Sequence, residues 1–403
     1  MLPELPRAVW LLEGGALWSA VGSGLVTPFV LIYLHNARGF GLGTTGLIYA
    51  AYGAVTVVLT PAAGAMIDAI GARRSLLGAS VLQAAGWGSL AVAQRPWQAA
   101  ACFAGAGIGN AAYWSSQATL VAGLAEGAQR GIAFSLQRIV QNLGLAIGGV
   151  AGGLVVHAAD PHTFMGLFVA DAASFALFGL AAQAVPEARR EKRERAAGGY
   201  REVLRDRPFL GVLAVNAAMT FAGFAQFEAV LPVFARNDVG LSTRAIGGLF
   251  ALNVVMVVVL QLPVTRIVEG RRRMRAIAAA AAVWTLCAIG ALAAARWLHG
   301  NGAVVLIFGV IAVFTLGELV FSPTHAALSA DLAPERLRGR YLSLVTNSFA
   351  IGYTAGPAAG AALLGVSSAA LWLPVAAVLA LTAVGSAALD RVIPANVATA
   401  PST

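Results

Sequence analysis

Residues 120–152 read LVAGLAEGAQRGIAFSLQRIVQNLGLAIGGVAG, and residues 328–360 read LSADLAPERLRGRYLSLVTNSFAIGYTAGPAAG. The two stretches align without a gap at a constant spacing of 208 residues, about half of the 403-residue chain. The matched pairs are Arg130 with Arg338, Gly131 with Gly339, and Gly144, Gly148 and Gly152 with Gly352, Gly356 and Gly360. The repeat therefore predicts two similar halves in tandem. In a membrane protein this architecture is typical of transporters, whose site lies between repeats that rock against each other.

The composition indicates an integral membrane protein. Hydrophobic residues make up 59% of the chain and charged residues only 11%, with a mean hydropathy of +0.77, whereas a soluble core of this size carries more charge. Apolar runs of about 20 residues, long enough to cross a bilayer as helices, recur along the whole length. They predict an all-α fold of twelve transmembrane helices in two pseudo-symmetric six-helix halves, with spans near residues 8–34, 44–67, 75–94, 97–122, 133–156, 162–185, 209–235, 243–267, 275–296, 302–328, 341–364 and 369–389.

One long polar segment separates the halves. Residues 186–208, PEARREKRERAAGGYREVLRDRP, carry mixed charges and indicate a solvated, partly helical connector. The sequence therefore predicts an N-terminal six-helix bundle at 1–185, a cytoplasmic linker at 186–208 and a C-terminal six-helix bundle at 209–403.

The basic residues are divided unevenly between the two sides of the membrane. Most of the 27 Lys and Arg residues fall in the termini and in the loops on the same side; the opposite loops hold only Arg38, Arg95, Arg236, Arg244 and Arg296. The positive-inside rule then places both termini in the cytoplasm, with the protein in the cell membrane. The net charge of +9 reflects this orientation and an affinity for anionic membrane lipids, and it requires no nucleic-acid partner.

A short loop between the second and third spans has a gating pattern. It reads GAMIDAIGARR from Gly64 to Arg74. Gly64 and Gly71 allow a tight turn, Asp68 can sit against a helix N-terminus, and Arg73 or Arg74 can bridge to an acid on a neighbouring helix. This cluster predicts a latch that holds the cytoplasmic face shut in one state; a positive-inside turn without a gating role is the alternative. The corresponding segment, 261–273, lacks the pattern and predicts a looser cluster.

Two acids inside apolar spans are the main candidates for proton coupling or substrate binding, because a membrane-buried charge is costly unless paired, hydrated or neutralised. Glu318 lies in the tenth span, and helical spacing places Thr315, Ser322 and His325 on its face. Glu228 lies in the seventh span, with Phe221 and Phe224 on its face, an arrangement suited to an apolar cation.

Two further charged residues are weaker candidates for the same roles. Arg138 forms a polar patch with Gln141 and Asn142 in the fifth span and can partner an acid or a substrate anion. Asp171 lies in the sixth span among phenylalanines. For all four charged residues, the alternative is a structural hydrogen bond between helices.

Several aromatic and titratable side chains complete the candidates. Possible pocket walls are Trp114, Phe224, Phe227, Phe314 and Tyr353, although most buried aromatics in such a protein serve packing. Glu13, near the start of the first span, is expected to be a surface acid, and His325 is expected to pack. The two glycine strips of the repeat predict close helix packing or a hinge.

These segments resemble known transporters. The loop at 64–74 resembles the signature loop of the major facilitator superfamily, with Ala69 in place of the usual base and the arginine pair shifted by one. TLGELVFSP at 315–323 and QFEAVLPV at 226–233 are similar to the tenth and seventh helices of twelve-helix multidrug/proton antiporters of the LmrP type. The resemblance implies proton coupling and binding of cationic drugs at Glu228 and Glu318. The chain departs from that group at Gln137 and near Ala122, where the group has acids.

The sequence contains no nucleotide-binding loop, metal-ligand spacing or catalytic triad, so we expect neither an enzyme nor a cofactor or metal. We expect a monomer that exports amphipathic small molecules in exchange for protons by alternating access. Two alternatives stay open: a facilitator or proton symporter of a metabolite, lipid or anion, with Arg138 as anchor, and a non-transporting membrane sensor on the same fold.

Overall fold

The computed structural model describes residues 5–125, 128–157, 160–187, 200–268, 270–334 and 337–399, and these are almost entirely helical. Six long helices form the N-terminal half: α1 Arg7–Ala37, α2 Leu42–Ile70, α3 Ala72–Ser89, α4 Pro96–Leu124, α5 Ala128–Val155 and α6 Pro161–Ala181. Six more form the C-terminal half: α7 Arg207–Asn237, α8 Thr243–Val268, α9 Arg273–Trp297, α10 Asn301–Leu332, α11 Arg338–Leu364 and α12 Ser368–Leu389. Each predicted span coincides with one of them, so the all-α membrane fold is confirmed.

Polar residues at the ends of the apolar runs set where the helices begin. Asp160 precedes α6 and accepts a hydrogen bond from the backbone N–H of His162, with Pro161 in the first turn. Asp206 caps α7 in the same way. An N-cap carboxylate satisfies one of the helix's free N–H groups, and proline in the first turn has no N–H to satisfy. Within the described ranges, nine helices are long and apolar enough to cross a membrane by length and composition.

The chain divides into two compact units. The first comprises Met1–Lys192 with Ser242–Ala251, and the second comprises Arg193–Leu241 with Leu252–Thr403. The division after Lys192 falls within the predicted linker, of which residues 188–199 lie outside the described part of the chain. The first residues of α8 group with the first unit, a feature that the sequence does not suggest. The assignment of two bundles joined by a linker stays a prediction.

Several helix pairs of the first unit recur in the second. In the first, α1 packs on α5 and α6, and α3 packs on α4 and α6. In the second, α7 packs on α11 and α12, and α9 packs on α10 and α12. These pairs are related by adding six to each helix number. The match is incomplete, because α2 also packs closely on α4, whereas α8 and α10 are not among the closely packed pairs of the described residues.

The two glycine strips of the repeat are packing surfaces. A Cβ atom added to Gly148 would lie 2.7 Å from the Cα of Gly24 on α1, and one added to Gly152 would lie 2.9 Å from the carbonyl oxygen of Leu25. On α11, a Cβ at Gly356 would lie 2.8 Å from the carbonyl oxygen of Phe221 on α7. The backbones therefore approach too closely for any side chain, which confirms the predicted packing role.

Helix α7 is not a regular α-helix. Two five-residue π-helical segments, Thr220–Phe224 and Gln226–Val230, interrupt it in the middle of the span. Each π segment widens the turn and shifts the side-chain register of the residues that follow. Glu228 lies in the second segment.

Candidate functional site

Glu318 is held by an amide from a different helix. The side-chain nitrogen of Asn253, on α8, donates to a carboxylate oxygen of Glu318 at 2.9 Å and lies 2.9 Å from the hydroxyl oxygen of Thr315. Thr315 is fully buried and donates its own proton to the carbonyl of Ile311. The predicted pairing of Thr315 with Glu318 on one face of α10 is thus present, and Asn253 joins the two side chains.

Asn253 is the member of this site that the sequence did not reveal. It stands alone in the apolar run LFALNVVMVVVL of the eighth span. A lone amide in such a run is costly unless it finds a hydrogen-bond partner, which was the available signal. The sequence could not say which helix supplies that partner.

Glu228 is held by a tyrosine. The hydroxyl of Tyr353, on α11, donates to a carboxylate oxygen of Glu228 at 2.6 Å, and the Tyr353 ring stacks on Phe349 at a centroid distance of 5.7 Å. Glu228 lies in the second π segment of α7. Glu228 and Glu318 are both partly buried.

Three of the predicted pocket aromatics belong to a packed core. Phe314 stacks on both Phe227 and Trp284, each at 4.6 Å between ring centroids, and Phe224 meets Trp284 edge-on at 5.0 Å. Phe224, Phe227 and Phe314 are all buried. Phe224 also lies 6.1 Å from Phe349, the ring that stacks on Tyr353, and its predicted place on the face of Glu228 stays a prediction.

The other predicted wall residues differ from these three. Tyr353 contacts Glu228 directly, as described above. Trp114, on α4 in the first unit, is about half exposed, with its ring 5.3 Å from that of Tyr113. Tyr353 is therefore the aromatic candidate with a hydrogen bond to a candidate acid.

His325 is buried and packed. Its ring stacks on Phe321 at 5.3 Å, and its Nε2 atom lies 3.4 Å from the hydroxyl of Ser329. Packing, as expected from the sequence, is its role in this structure. Ser322, predicted to share the polar stripe of Glu318, is partly buried.

In the first unit, the polar patch on α5 faces open space. Arg138 is exposed, Gln141 and Asn142 are partly exposed, and the structure shows no hydrogen bond or ion pair from Arg138 to another described residue. The three side chains lie about one turn apart on a single helix. The patch is available to an anion or a polar ligand.

Asp171 is fully enclosed at the contact between α6 and α1. The hydroxyl of Ser23 donates to its carboxylate at 3.5 Å, and a Cβ added to Gly22 would lie 2.9 Å from that carboxylate. The side chain is 1% exposed. This geometry favours the structural alternative for Asp171, a hydrogen bond between helices.

Glu13 is buried, and the expectation of a surface acid is wrong. The residue is 1% exposed, and neither carboxylate oxygen has a hydrogen-bond partner among the described residues. Its neighbours Leu12 and Ala16 belong to the apolar core of the first unit, and Phe178 of α6 packs against Gly15. Proximity to the end of α1 suggested access to water, but the end of α6 covers this part of α1.

The expectation of a loop over residues 64–74 is wrong, because residues 64–70 continue α2 and residues 72–74 begin α3, with only Gly71 between them. Arg73 nevertheless makes an ion pair, and its acid lies just beyond α6 and not on a helix. The Nε atom of Arg73 lies 3.7 Å from a carboxylate oxygen of Glu187, and its guanidinium donates to the carbonyls of Gln183 and Val185 at the end of α6. Gly71 has a φ of 91°, which favours glycine.

The other predicted residues of this segment give less support for a latch. Arg74 is exposed, and a Cβ at Gly64 would meet no atom within 4 Å, so packing does not require that glycine. The side chain of Asp68 lies outside the described residues, so its predicted position is untested.

The corresponding loop of the second unit is more strongly paired than expected. Arg272 and Arg275 each lie 2.9 Å from a carboxylate oxygen of Asp390, at the end of α12, and Arg273 lies 2.7 Å from one of Asp331, at the end of α10. These nitrogen–oxygen distances are shorter than the 3.7 Å between Arg73 and Glu187. The expectation of a looser cluster is therefore wrong, because the acids come from the ends of other helices and not from the loop itself.

Comparison with known proteins places this architecture in a family. The family model described as the Major Facilitator Superfamily matches residues 14–317. Multidrug resistance protein MdtH of Aeromonas hydrophila is 25% identical over 361 residues, covering 88% of this chain and 87% of that protein. The MdtH protein of Klebsiella pneumoniae strain 342 is 27% identical over 352 residues, covering 84% and 82%.

Solved structures show the same fold. A POT family transporter in complex with 5-aminolevulinic acid superposes with a TM-score of 0.80 at 15% identity, covering 96% of this chain and 97% of that one. The nucleoside transporter NupG gives a TM-score of 0.71 at 13% identity, covering 96% and 100%. The helices, their repeated packing and the family match agree, and the chain belongs to the major facilitator superfamily, as a multi-pass membrane transporter of small molecules.

Proposed function

We propose that the protein exports amphipathic drugs or related small molecules in exchange for protons. The matched MdtH relatives are multidrug resistance proteins, and the resemblance of the seventh and tenth helices implies the same substrate class. The energy source is a proton gradient, since the sequence carries no nucleotide-binding loop.

The arrangement of Glu228 and Glu318 is the observation that carries this proposal. Each carboxyl accepts a hydrogen bond from a neutral donor, Tyr353 or Asn253, on another helix of the same unit. A neutral donor fixes the position of a carboxylate and leaves its charge in place. The ionised carboxylate then attracts a cationic substrate, whereas the protonated carboxyl does not, so proton and substrate compete for one site.

The transport cycle follows from this competition and from the repeat. Proton entry from the outside neutralises the acids and releases the substrate, and proton release to the cytoplasm restores the negative site. Alternating access between the two sides uses the rocking of the two repeats. We assign the gating role to the segment at 64–74, where Arg73 ties the start of α3 to the end of α6 and to Glu187.

The membrane setting is part of the proposal. We place the protein in the cytoplasmic membrane with both termini inside, because the opposite loops hold few of the basic residues. We propose that it acts as a monomer of two six-helix bundles joined by the linker at 186–208.

Transport by reconstituted protein tests the coupling. Proteoliposomes with an imposed pH gradient are loaded with a fluorescent cationic dye, and Glu318→Gln and Glu228→Gln are compared with the unmodified protein. Each change should abolish gradient-driven dye movement while passive dye exchange remains. Glu202→Gln, an exposed acid in the short helix Tyr200–Val203, is the matched control and should move dye at the normal rate. Normal gradient-driven rates in both glutamate variants would refute the coupling assignment.

One observation favours a second candidate function, transport of an anion by symport or facilitation. The exposed guanidinium of Arg138, next to Gln141 and Asn142, suits an anionic metabolite or lipid headgroup. The direction of proton movement distinguishes the two functions. Addition of substrate outside the vesicles moves protons outward in antiport and inward in symport.

A further inference from the structure

A cavity of about 550 Å³ opens at one end of the second unit, apart from the two candidate acids. It runs between the end of α8, the first half of α9 and the middle of α10. Its apolar walls include Ile267 and Val268 of α8, Val283 of α9 and Leu316 and Val320 of α10. The volume is within the range of ordinary small-molecule sites, about 300–1,000 Å³.

The floor of the cavity is lined by small residues. Ala276, Ala279 and Ala280 line it from α9, and Gly317 lines it from α10. Alanine side chains are too short to fill the space that they line on α9. We call this apolar part of the cavity, which an acyl chain can occupy, the slot.

The mouth of the cavity is cationic. Arg271, Arg272 and Arg275 all line it. Arg272 and Arg275 share the single carboxylate of Asp390, each through its Nε atom, and the side chain of Arg275 is 70% exposed. Among the described residues, three guanidinium groups line the mouth and two of them share one carboxylate. The side chain of Arg275 is exposed enough for a further acceptor.

The surroundings are those of a membrane-facing site. Ile267 is 58% exposed and Leu316 is 42% exposed at the edge of the cavity, so the apolar slot opens sideways, where acyl chains would lie. The arginines lie in a loop that the charge distribution assigns to the cytoplasmic side, and the cytoplasmic leaflet carries anionic lipids.

We propose that this cavity binds an anionic phospholipid of the cytoplasmic leaflet, with its phosphate at Arg271 and Arg275 and one acyl chain in the slot along Ala276, Ala279 and Ala280. Charge complementarity selects the headgroup, and the apolar slot binds the chain. When the lipid phosphate binds Arg275, Arg272 still pairs with Asp390. Lipid binding therefore leaves no unpaired carboxylate at Asp390. The site is distinct from the proposed drug and proton site, and its test requires no transport.

Native mass spectrometry of the full-length protein in detergent tests the proposal. Phosphatidylglycerol and phosphatidylcholine with identical acyl chains are titrated separately, and the bound populations are compared. We expect phosphatidylglycerol to bind more tightly. The double change Arg271→Ala and Arg275→Ala should weaken its binding about thirtyfold, from about 1 kcal/mol for each arginine near an anionic lipid. Phosphatidylcholine binding should change little.

Two further variants test whether the lipid binds in this cavity. Arg244→Ala with Arg296→Ala removes two exposed arginines elsewhere and should leave phosphatidylglycerol binding unchanged. Ala279→Trp keeps every charge and fills the slot, so it should reduce the binding of phosphatidylglycerol at least tenfold. Equal binding of the two lipids, undiminished binding by both cavity variants, or an equal loss in the Arg244/Arg296 control would overturn the proposal. If the double arginine variant does not fold, the outcome for Ala279→Trp decides.

Discussion

The hydroxyl of Tyr353 donates a hydrogen bond of 2.6 Å to the carboxylate of Glu228, and this bond joins α11 to the second π-helical segment of α7. It brings together one residue of the glycine-rich repeat and one of the candidate acids. A π segment in the middle of a helix is often found at a functional site. The bond gives Glu228 a fixed position in a segment whose backbone is otherwise irregular.

Tyr353→Phe removes this bond and keeps the ring that stacks on Phe349. We expect gradient-driven dye transport to fall about tenfold or more, because a hydrogen bond to a charged group contributes about 1.5–3 kcal/mol. Tyr341→Phe is the matched control, since Tyr341 lies on the same helix and donates to Asp206 at 2.8 Å. Equal transport by the two variants in proteoliposomes would contradict the role given to Tyr353.

We expect Asn253→Leu to reduce the rate of dye transport strongly while changing the melting temperature little. The change removes the donor that holds Glu318 and Thr315, while leucine suits an apolar span. The matched control is Asn216→Leu, which removes a buried amide bonded to Ser348 and to the carbonyl of Val345. That control should lower the melting temperature and leave the coupling of dye and proton movement intact. A normal transport rate for Asn253→Leu would show that Glu318 does not need this amide.

Glu13→Leu should leave the melting temperature unchanged or raise it. Both oxygens of Glu13 are buried without a hydrogen-bond partner among the described residues, and replacing such a group by an apolar one removes a desolvation cost of about 1–3 kcal/mol. Thermal unfolding of the purified protein measures the effect. A clear loss of stability would mean that Glu13 has a stabilising partner, such as water, in the folded protein.

Gly148→Ala should destabilise the first unit. The added methyl group would lie 2.7 Å from both the Cα of Gly24 and the backbone nitrogen of Leu25, and backbone atoms cannot move aside cheaply. We expect a loss of about 1–3 kcal/mol from overpacking. Gly105→Ala on α4 is the control, because a methyl group there meets no atom within 4 Å and alanine favours the helix. The yields of folded protein and the melting temperatures should separate the two variants.

The helices follow directly from the sequence, whereas several contacts of the site do not. Long apolar runs bounded by caps such as Asp160 and Asp206 define where helices begin, which is why each predicted span is present. The spacing between Thr315 and Glu318 is local to one helix, so their pairing is also predictable. Asn253 lies on a different helix, and nothing in a single sequence specifies that distance.

The two π segments of α7 are not visible in the sequence, because a π segment has no clear sequence pattern. The errors in predicting side-chain surroundings share a different physical cause. The burial of Glu13 and the pairing of Asp390 with two arginines depend on where neighbouring helices end. Local periodicity carries no information about those ends, so the surface assignment of Glu13 and the looser second cluster were both wrong.

The shared carboxylate of Asp390 has a mechanical consequence for the second unit. Together with the Arg273–Asp331 pair, it fastens the start of α9 to the ends of both α12 and α10, so these three helices are clamped at one end by charge. Helices α7 and α11 instead meet through glycine backbone and through hydrogen bonds such as those of Gln226, Asn216 and Tyr353. Glu318 belongs to the three clamped helices and Glu228 to the α7–α11 pair. We therefore expect any sliding between these two groups of helices to change the distance between the two carboxyl groups. That distance would then report how far the helices move during transport.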